Sequence, residues 1–162
     1  MPKLEVFFDY ACPYCLTGHR NLAELLPRYP DIDIEWYPCE AQPRVSSNLC
    51  ARGMFFIKEH GADIREYNHR IFITSRQKRV DIGSLNDLAM LVDGLVDPDE
   101  FYSAVAGGAY ADKLKEINRL VWEKYGIPAV PSYRVGDKIL LSEARVGVTK
   151  ERLASFLKDT IL

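Results

Sequence analysis

The chain of 162 residues lacks any apolar run approaching the roughly 18 residues that a membrane-spanning helix requires. Its opening, MPKLEVFFDY, has one lysine and a short apolar stretch with acids inside it. It has neither the long apolar core nor the small-residue cleavage site of a secretory signal, so a cytoplasmic protein is expected. A surplus of positive charge is also missing. The formal net charge is −2, and acids offset the densest basic patch, Arg76-Gln77-Lys78-Arg79. Nucleic acid and anionic membranes are therefore not expected as partners. Cysteine is too scarce for a disulfide scaffold, at four in the chain. Repeats and low-complexity segments are absent. What remains is a chain with enough apolar residues, 48%, to bury a core as one domain or one domain with an insertion.

Residues 3–9 (KLEVFFD) are short and rich in strand formers, which predicts a strand. A helix follows from Pro13 to about Arg28, with Leu22, Leu25 and Leu26 on one face and Pro27 and Pro30 ending it. Residues 32–38 alternate, Ile32, Ile34 and Trp36 against Asp33, Glu35 and Tyr37, which predicts a second strand, parallel to the first. From about Ser46 to Tyr125 almost nothing reads as strand. Four or five helices are expected there, with start signals at Ser84 and at Asp97-Pro98 and a joint at Gly107-Gly108. Strand signals return at 132–136 and 138–142 around a Gly136-Asp137 turn, and a last helix covers roughly 150–161.

The chemistry concentrates in Cys12-Pro13-Tyr14-Cys15. Proline favours the first helical position, because its missing N–H would be unpaired there anyway. That makes Cys12 the residue capping the helix, where free N–H groups and the helix dipole favour a thiolate. Cys15 lies one turn on, on the same face and within disulfide reach. Such a pair exchanges disulfides through a mixed disulfide. Two other readings compete. A zinc site needs further ligands, and Cys39 and Cys50 do not form a second knuckle, while His60 and His69 fall among the middle helices. Plain packing is the third. Far downstream, Val130-Pro131 immediately precedes the third strand, and X-Pro bonds are the ones for which a cis form costs little.

CPYC after the first strand and Val130-Pro131 before the third resemble the thioredoxin superfamily. The helical block between the halves resembles its DsbA-like branch, with FrnE-like proteins and relatives of 2-hydroxychromene-2-carboxylate isomerase. The expected fold class is therefore α/β, a thioredoxin-like β-α-β … β-β-α frame with an all-helical insertion. Its parts are 1–44 (first part of the frame), 45–112 (the insertion) and 113–162 (second part). The resemblance implies Cys12 as attacking nucleophile, Cys15 as resolving cysteine and Pro131 as a cis-proline packed against them. It implies that Val130 offers backbone groups to an extended peptide, with Pro13 and Tyr14 beside it. Pro128 competes for the cis role, but the strand follows Pro131 at once.

Two departures shape the expectation. Pro13-Tyr14 replaces the histidine-containing pair of strong oxidants and is the pair found in glutaredoxins, which implies a milder partner. Val6 stands where those oxidants keep a glutamate. Asp9 is a candidate for proton transfer at Cys15, or else a strand-end residue. Cys39 and Cys50 read as buried thiols, His19 as a packed or surface histidine, Trp36 and Trp122 as core, and Met54-Phe55-Phe56-Ile57 as packing or a groove lining. The expected function is thiol:disulfide exchange with protein or peptide thiols, needing no cofactor or metal, with glutathione as a possible co-substrate. The alternatives are a glutathione-dependent isomerase or transferase, or a peptide- or zinc-binding module.

Overall fold

The computed structural model describes residues 2–161. A mixed sheet in the order β2-β1-β3-β4 forms the centre. β1 (Lys3–Phe8) pairs in parallel with β2 (Asp33–Pro38) and antiparallel with β3 (Ser132–Val135), which pairs antiparallel with β4 (Lys138–Leu140). The β1-to-β2 connection is α1 (Pro13–Leu25), closed by a 3-10 turn at Leu26–Arg28. The strands 3–9 and 138–142 read from the sequence each stop short. β1 ends at Phe8 because the Asp9 carboxylate turns away to hold neighbouring loops.

Between β2 and β3 the chain is helical. It runs through α2 (Val45–Glu59), α3 (Ile64–His69), α4 (Ser75–Gln77), α5 (Leu85–Leu91), α6 (Pro98–Ala106) and α7 (Ala111–Asn118). A π-helical stretch, Arg70–Thr74, fuses α3 to α4, and another, Arg119–Lys124, extends α7. The six labelled helices thus form five rods, within the range expected. The sequence signals for their starts hold: the Ser84 side chain accepts from the Asp87 N–H, and Asp97 accepts from those of Asp99 and Glu100, ahead of Pro98. Asp63 does the same for α3. The last helix, α8 (Lys150–Ile161), packs on α1 and buries Leu153, Leu157 and Ile161, with Phe156 only half-buried.

Strand alternation sends adjacent side chains to opposite faces. Phe7 stacks on Tyr37 and meets Tyr125, below the extension of α7. Phe8 instead meets Trp36, Tyr10 and Phe72 on the α1 side. Met54, Phe55, Phe56 and Ile57 are all buried, so the packing reading of that run is the correct one.

Gly53 is a close-approach position inside α2. A Cβ there would lie 2.7 Å from Phe101 Cζ and closer still to the Tyr67 hydroxyl, which donates to the Cys50 carbonyl at 2.7 Å. Alanine would gain helix propensity of about 1 kcal/mol. Overpacking two fully buried rings costs about 1–3 kcal/mol, so Gly53→Ala is expected to destabilise, read as a lower urea midpoint with unchanged slope. An unchanged or raised midpoint would show that Phe101 gives way freely.

Candidate active site

The strand-to-helix turn positions the first cysteine. Cys12 caps α1 with extended backbone (φ −84°, ψ 124°), Pro13 follows at the first helical position, and the N–H groups of Cys15 and Leu16 both reach the Cys12 carbonyl at 3.1 Å. Cys12 is half-buried at the edge of a groove of about 720 Å³. Cys15 is 2% exposed, and its sulfur accepts the Asp9 N–H at 3.4 Å. The peptide bond between Val130 and Pro131 is cis, and the Val130 carbonyl lies 3.9 Å from the Cys12 thiol.

The environments drive the two thiols apart. The Cys15 thiol donates to the Cys12 sulfur, and the N–H groups of Cys15 and Tyr14 add to it, holding Cys12 down at about 6 against burial and the Asp9 charge. Burial, then donation to Cys12 and the Cys12 charge, push Cys15 well above the ordinary thiol range. One sulfur is a thiolate at neutral pH and accessible; the other is a buried thiol within hydrogen-bonding reach of it. That arrangement can attack a disulfide and then resolve the product.

A family model described as a DSBA-like thioredoxin domain matches residues 3–154. The chain belongs to the DSBA-like thioredoxin domain family. Solved structures agree on the fold. DsbA of Chlamydia trachomatis superposes with a TM-score of 0.75 at 18% identity, over 98% of this chain and 87% of that one. Oxidised BdbD of Bacillus subtilis reaches 0.78 at 15% identity, over 99% and 87%. The uncharacterized protein YwbO of Bacillus subtilis (strain 168) is 23% identical, covering 93% of this chain and 95% of its own length.

Within this DSBA-like frame the residues singled out in the sequence divide between two sides. Asp9, Cys12, Pro13, Tyr14 and Val130 border the groove, together with Pro128 and the half-buried Trp122. Trp122, expected in the core, is thus a groove wall. Cys15, Pro131 and Val6 face a small cavity behind. Asp9 is 2% exposed, and its carboxylate accepts from the Ala11 and Ala41 N–H groups, both at 2.9 Å, and from the Ser47 hydroxyl at 2.6 Å. Its carboxylate is therefore committed to holding loops, and its backbone N–H is what touches Cys15.

Cys39 and Cys50 are buried free thiols, beside the Phe8 and Ile82 carbonyls, and burial pushes both up. Among the described residues no group of three or more His, Cys, Asp or Glu side chains is placed to hold a metal ion. No described helix is long and apolar enough to cross a membrane.

Two glycines escaped the sequence reading. A Cβ on Gly18 would lie 2.9 Å from the Tyr133 hydroxyl and 3.2 Å from Pro131 Cγ, so only glycine lets α1 approach the Pro131 segment. Gly147, at φ +77°, lies against Tyr14, where a Cβ would come within 3.1 Å of Tyr14 Cβ. Nothing local in the sequence marks either contact.

Iodoacetamide alkylation of the reduced protein is expected to follow a single thiolate with a midpoint at about 6. Cys15→Ala, which removes the donor, should move that midpoint upward; an unmoved midpoint would assign the effect to the helix alone. Stability should follow the same ionisation. Cys12 ionises more readily folded than unfolded, so its contribution is complete above the ordinary value of 9.0 and is lost as pH falls through about 6. The Tm of reduced protein, relative to Cys12→Ser, is expected to rise between those limits; a flat difference would contradict it.

Proposed function

We propose that the chain is a thiol:disulfide oxidoreductase in which Cys12 attacks and Cys15 resolves. The observation that carries this reading is the placement of the pair: Cys12 caps α1 at the edge of the groove, with the Val130 carbonyl 3.9 Å away, and Cys15 is buried one turn behind it, an arrangement that lowers Cys12 to about 6. The Cys12 thiolate attacks one sulfur of a substrate disulfide, forming a mixed disulfide and releasing one substrate thiolate. Cys15 then attacks the Cys12 sulfur, which closes the Cys12–Cys15 disulfide and releases the second. The reverse sequence oxidises a dithiol. The cysteines carry the electrons, so no cofactor is needed.

The groove supports a peptide substrate. Tyr14 is 40% exposed beside Cys12, Pro128 and Ala129 line the groove with it, and Trp122 forms a wall. Val130 and Pro131 supply the backbone against which an extended segment lies next to Cys12. Glutathione fits the same groove as a small-thiol co-substrate, with the Arg44 cation available to a carboxylate.

A Cys12 value of about 6 lies between the values near 7 and about 3.5 that mark reducing and strongly oxidising members of the fold. The reduced form is stabilised modestly, so the pair is a mild partner. In a reducing cytoplasm its net direction is reduction or isomerisation of disulfides.

Reversible formation of a Cys12–Cys15 disulfide in glutathione buffers, followed by alkylation and mass measurement, tests the reading. Insulin reduction is expected with the unsubstituted protein and not with Cys12→Ser. Cys15→Ser is expected to accumulate the mixed disulfide. If no reversible disulfide forms, or if Cys15→Ser retains full turnover on a small-molecule substrate, the exchange reading fails and an isomerase-type reaction takes its place.

A further inference from the structure

The resolving thiol has a proton to lose before it can attack, and the two carboxylates that border the groove are already engaged: Glu40 accepts from the Asn118 and Asn48 side-chain amides at 3.0 and 3.4 Å, and Asp9 is held as described above. Cys15 is buried, and among the described residues its sulfur is met by the Asp9 N–H at 3.4 Å, with Cys12 beside it. The Asp9 carboxylate already accepts three hydrogen bonds from Ala11, Ala41 and Ser47. Val6, on the strand beneath, carries no titratable group.

Behind Cys15 the structure differs. A cavity of about 20 Å³ borders Cys15, His19, Asn68 and Tyr133, and about 10–15 Å³ suffices for one water with polar partners. His19 and Asn68 also border a solvent-facing cleft of about 390 Å³ between α1 and α3. These two side chains therefore stand between the buried thiol and solvent. Asn68 is 1% exposed; its Oδ1 accepts the Tyr10 hydroxyl at 2.6 Å, while its Nδ2 has no partner among the described residues. That donor is placed to orient a water. His19 stacks on Phe72, in the π-helical stretch, at 5.1 Å, with His69 at 6.0 Å on the cleft side.

We infer that His19 and Asn68, with one water between them and Cys15, form the proton route of the resolving step, leading to the α1/α3 cleft rather than to the groove. This rests on the exchange reading above. In the mixed disulfide Cys12–S–S–R, the Cys15 S–H bond breaks and its proton passes through the water to one ring nitrogen of neutral His19, as the other nitrogen releases a proton to the cleft. The Cys15 sulfur forms its bond to the Cys12 sulfur, and the bond to R breaks. R–S⁻ leaves with the electron pair and is protonated from the groove.

The charges around His19 suit a relay and not a store. Arg20 on its own helix, His69 on α3 and Arg65 across the cleft face it, and no carboxylate borders either cavity. Burial first, then His69 and Arg20, hold it at about 4, so the ring is neutral and free to accept while it donates. The Tyr10 and Tyr133 hydroxyls are pushed up by burial and stay protonated.

Stopped-flow reaction of the reduced protein with 5,5′-dithiobis(2-nitrobenzoate) separates the two steps. The first chromophore release reports attack by Cys12, and the second reports resolution by Cys15. In His19→Gln, which keeps bulk and hydrogen bonding but passes no proton, the first phase is expected unchanged. The second should slow on the order of 100-fold near neutral pH, the low end of what a positioned proton carrier contributes. It should recover as pH rises, when hydroxide takes the proton directly. His19→Ala should show the same defect and be restored by added imidazole. An unchanged second phase in both variants, phases that slow together, or a slow phase insensitive to pH and imidazole would each overturn the inference. Absence of a first phase in the unsubstituted protein would instead defeat the exchange reading itself.

Discussion

The site depends on one buried carboxylate. Asp9 ends β1, and its oxygens hold the Ala11 N–H at the start of the cysteine turn, the Ala41 N–H after β2 and the Ser47 hydroxyl on α2. A charge this deep is tolerable only when its acceptor sites are filled, and charge-assisted bonds of this kind are stronger than neutral ones. The result is that sheet, cysteine turn and helical block share one anchor. The groove can keep its width because its two walls, the Cys12 turn and the loop after β2, are tied to the same side chain.

That anchor works against the chemistry it supports. The negative charge of Asp9 raises the Cys12 thiol, as does burial, and the helix start and the Cys15 thiol must outweigh both to bring it to about 6. The balance explains why the value is moderate. Structural fixation and thiolate stabilisation draw on neighbouring atoms with opposite signs, so a more firmly anchored turn is also a less acidic one. Cys15 takes the complementary position: being buried, it stays protonated and serves as the donor that lowers its partner.

Local rules made much of this legible. Cys12-Pro13 announces a helix start through the missing proline N–H, Ser84 and Asp97-Pro98 announce two more, and Gly136-Asp137 announces the hairpin. Val130-Pro131 was readable because proline is badly placed inside a strand. The rest required the third dimension. Gly18 matters only because Tyr133 and Pro131, far away in sequence, close on it. Asp9 looked like a strand-end residue until Ala41 and Ser47 came to meet it. Trp122 was expected in the core, and nothing local said that it faced a groove. The two π-helical stretches have no periodicity signal strong enough to distinguish them from ordinary helix.

On the exchange reading and the proton route inferred above, one helix serves two different flows. The start of α1 presents Cys12 to the groove, where on that reading substrate sulfur and electrons come and go. One and two turns further along, Cys15 and His19 border the cavity behind, at the fourth-residue spacing that places side chains one above the other. Separating the routes has a physical advantage. A substrate peptide that fills the groove excludes water from Cys12, which is where a proton leaving Cys15 would otherwise have to go. A rear exit through the α1/α3 cleft stays open while the groove is occupied. The close approach of Gly18 to Tyr133 keeps that exit narrow, so the thiol remains buried and remains the donor that Cys12 needs. On that reading, electron traffic and proton traffic meet at the two sulfurs without sharing a path.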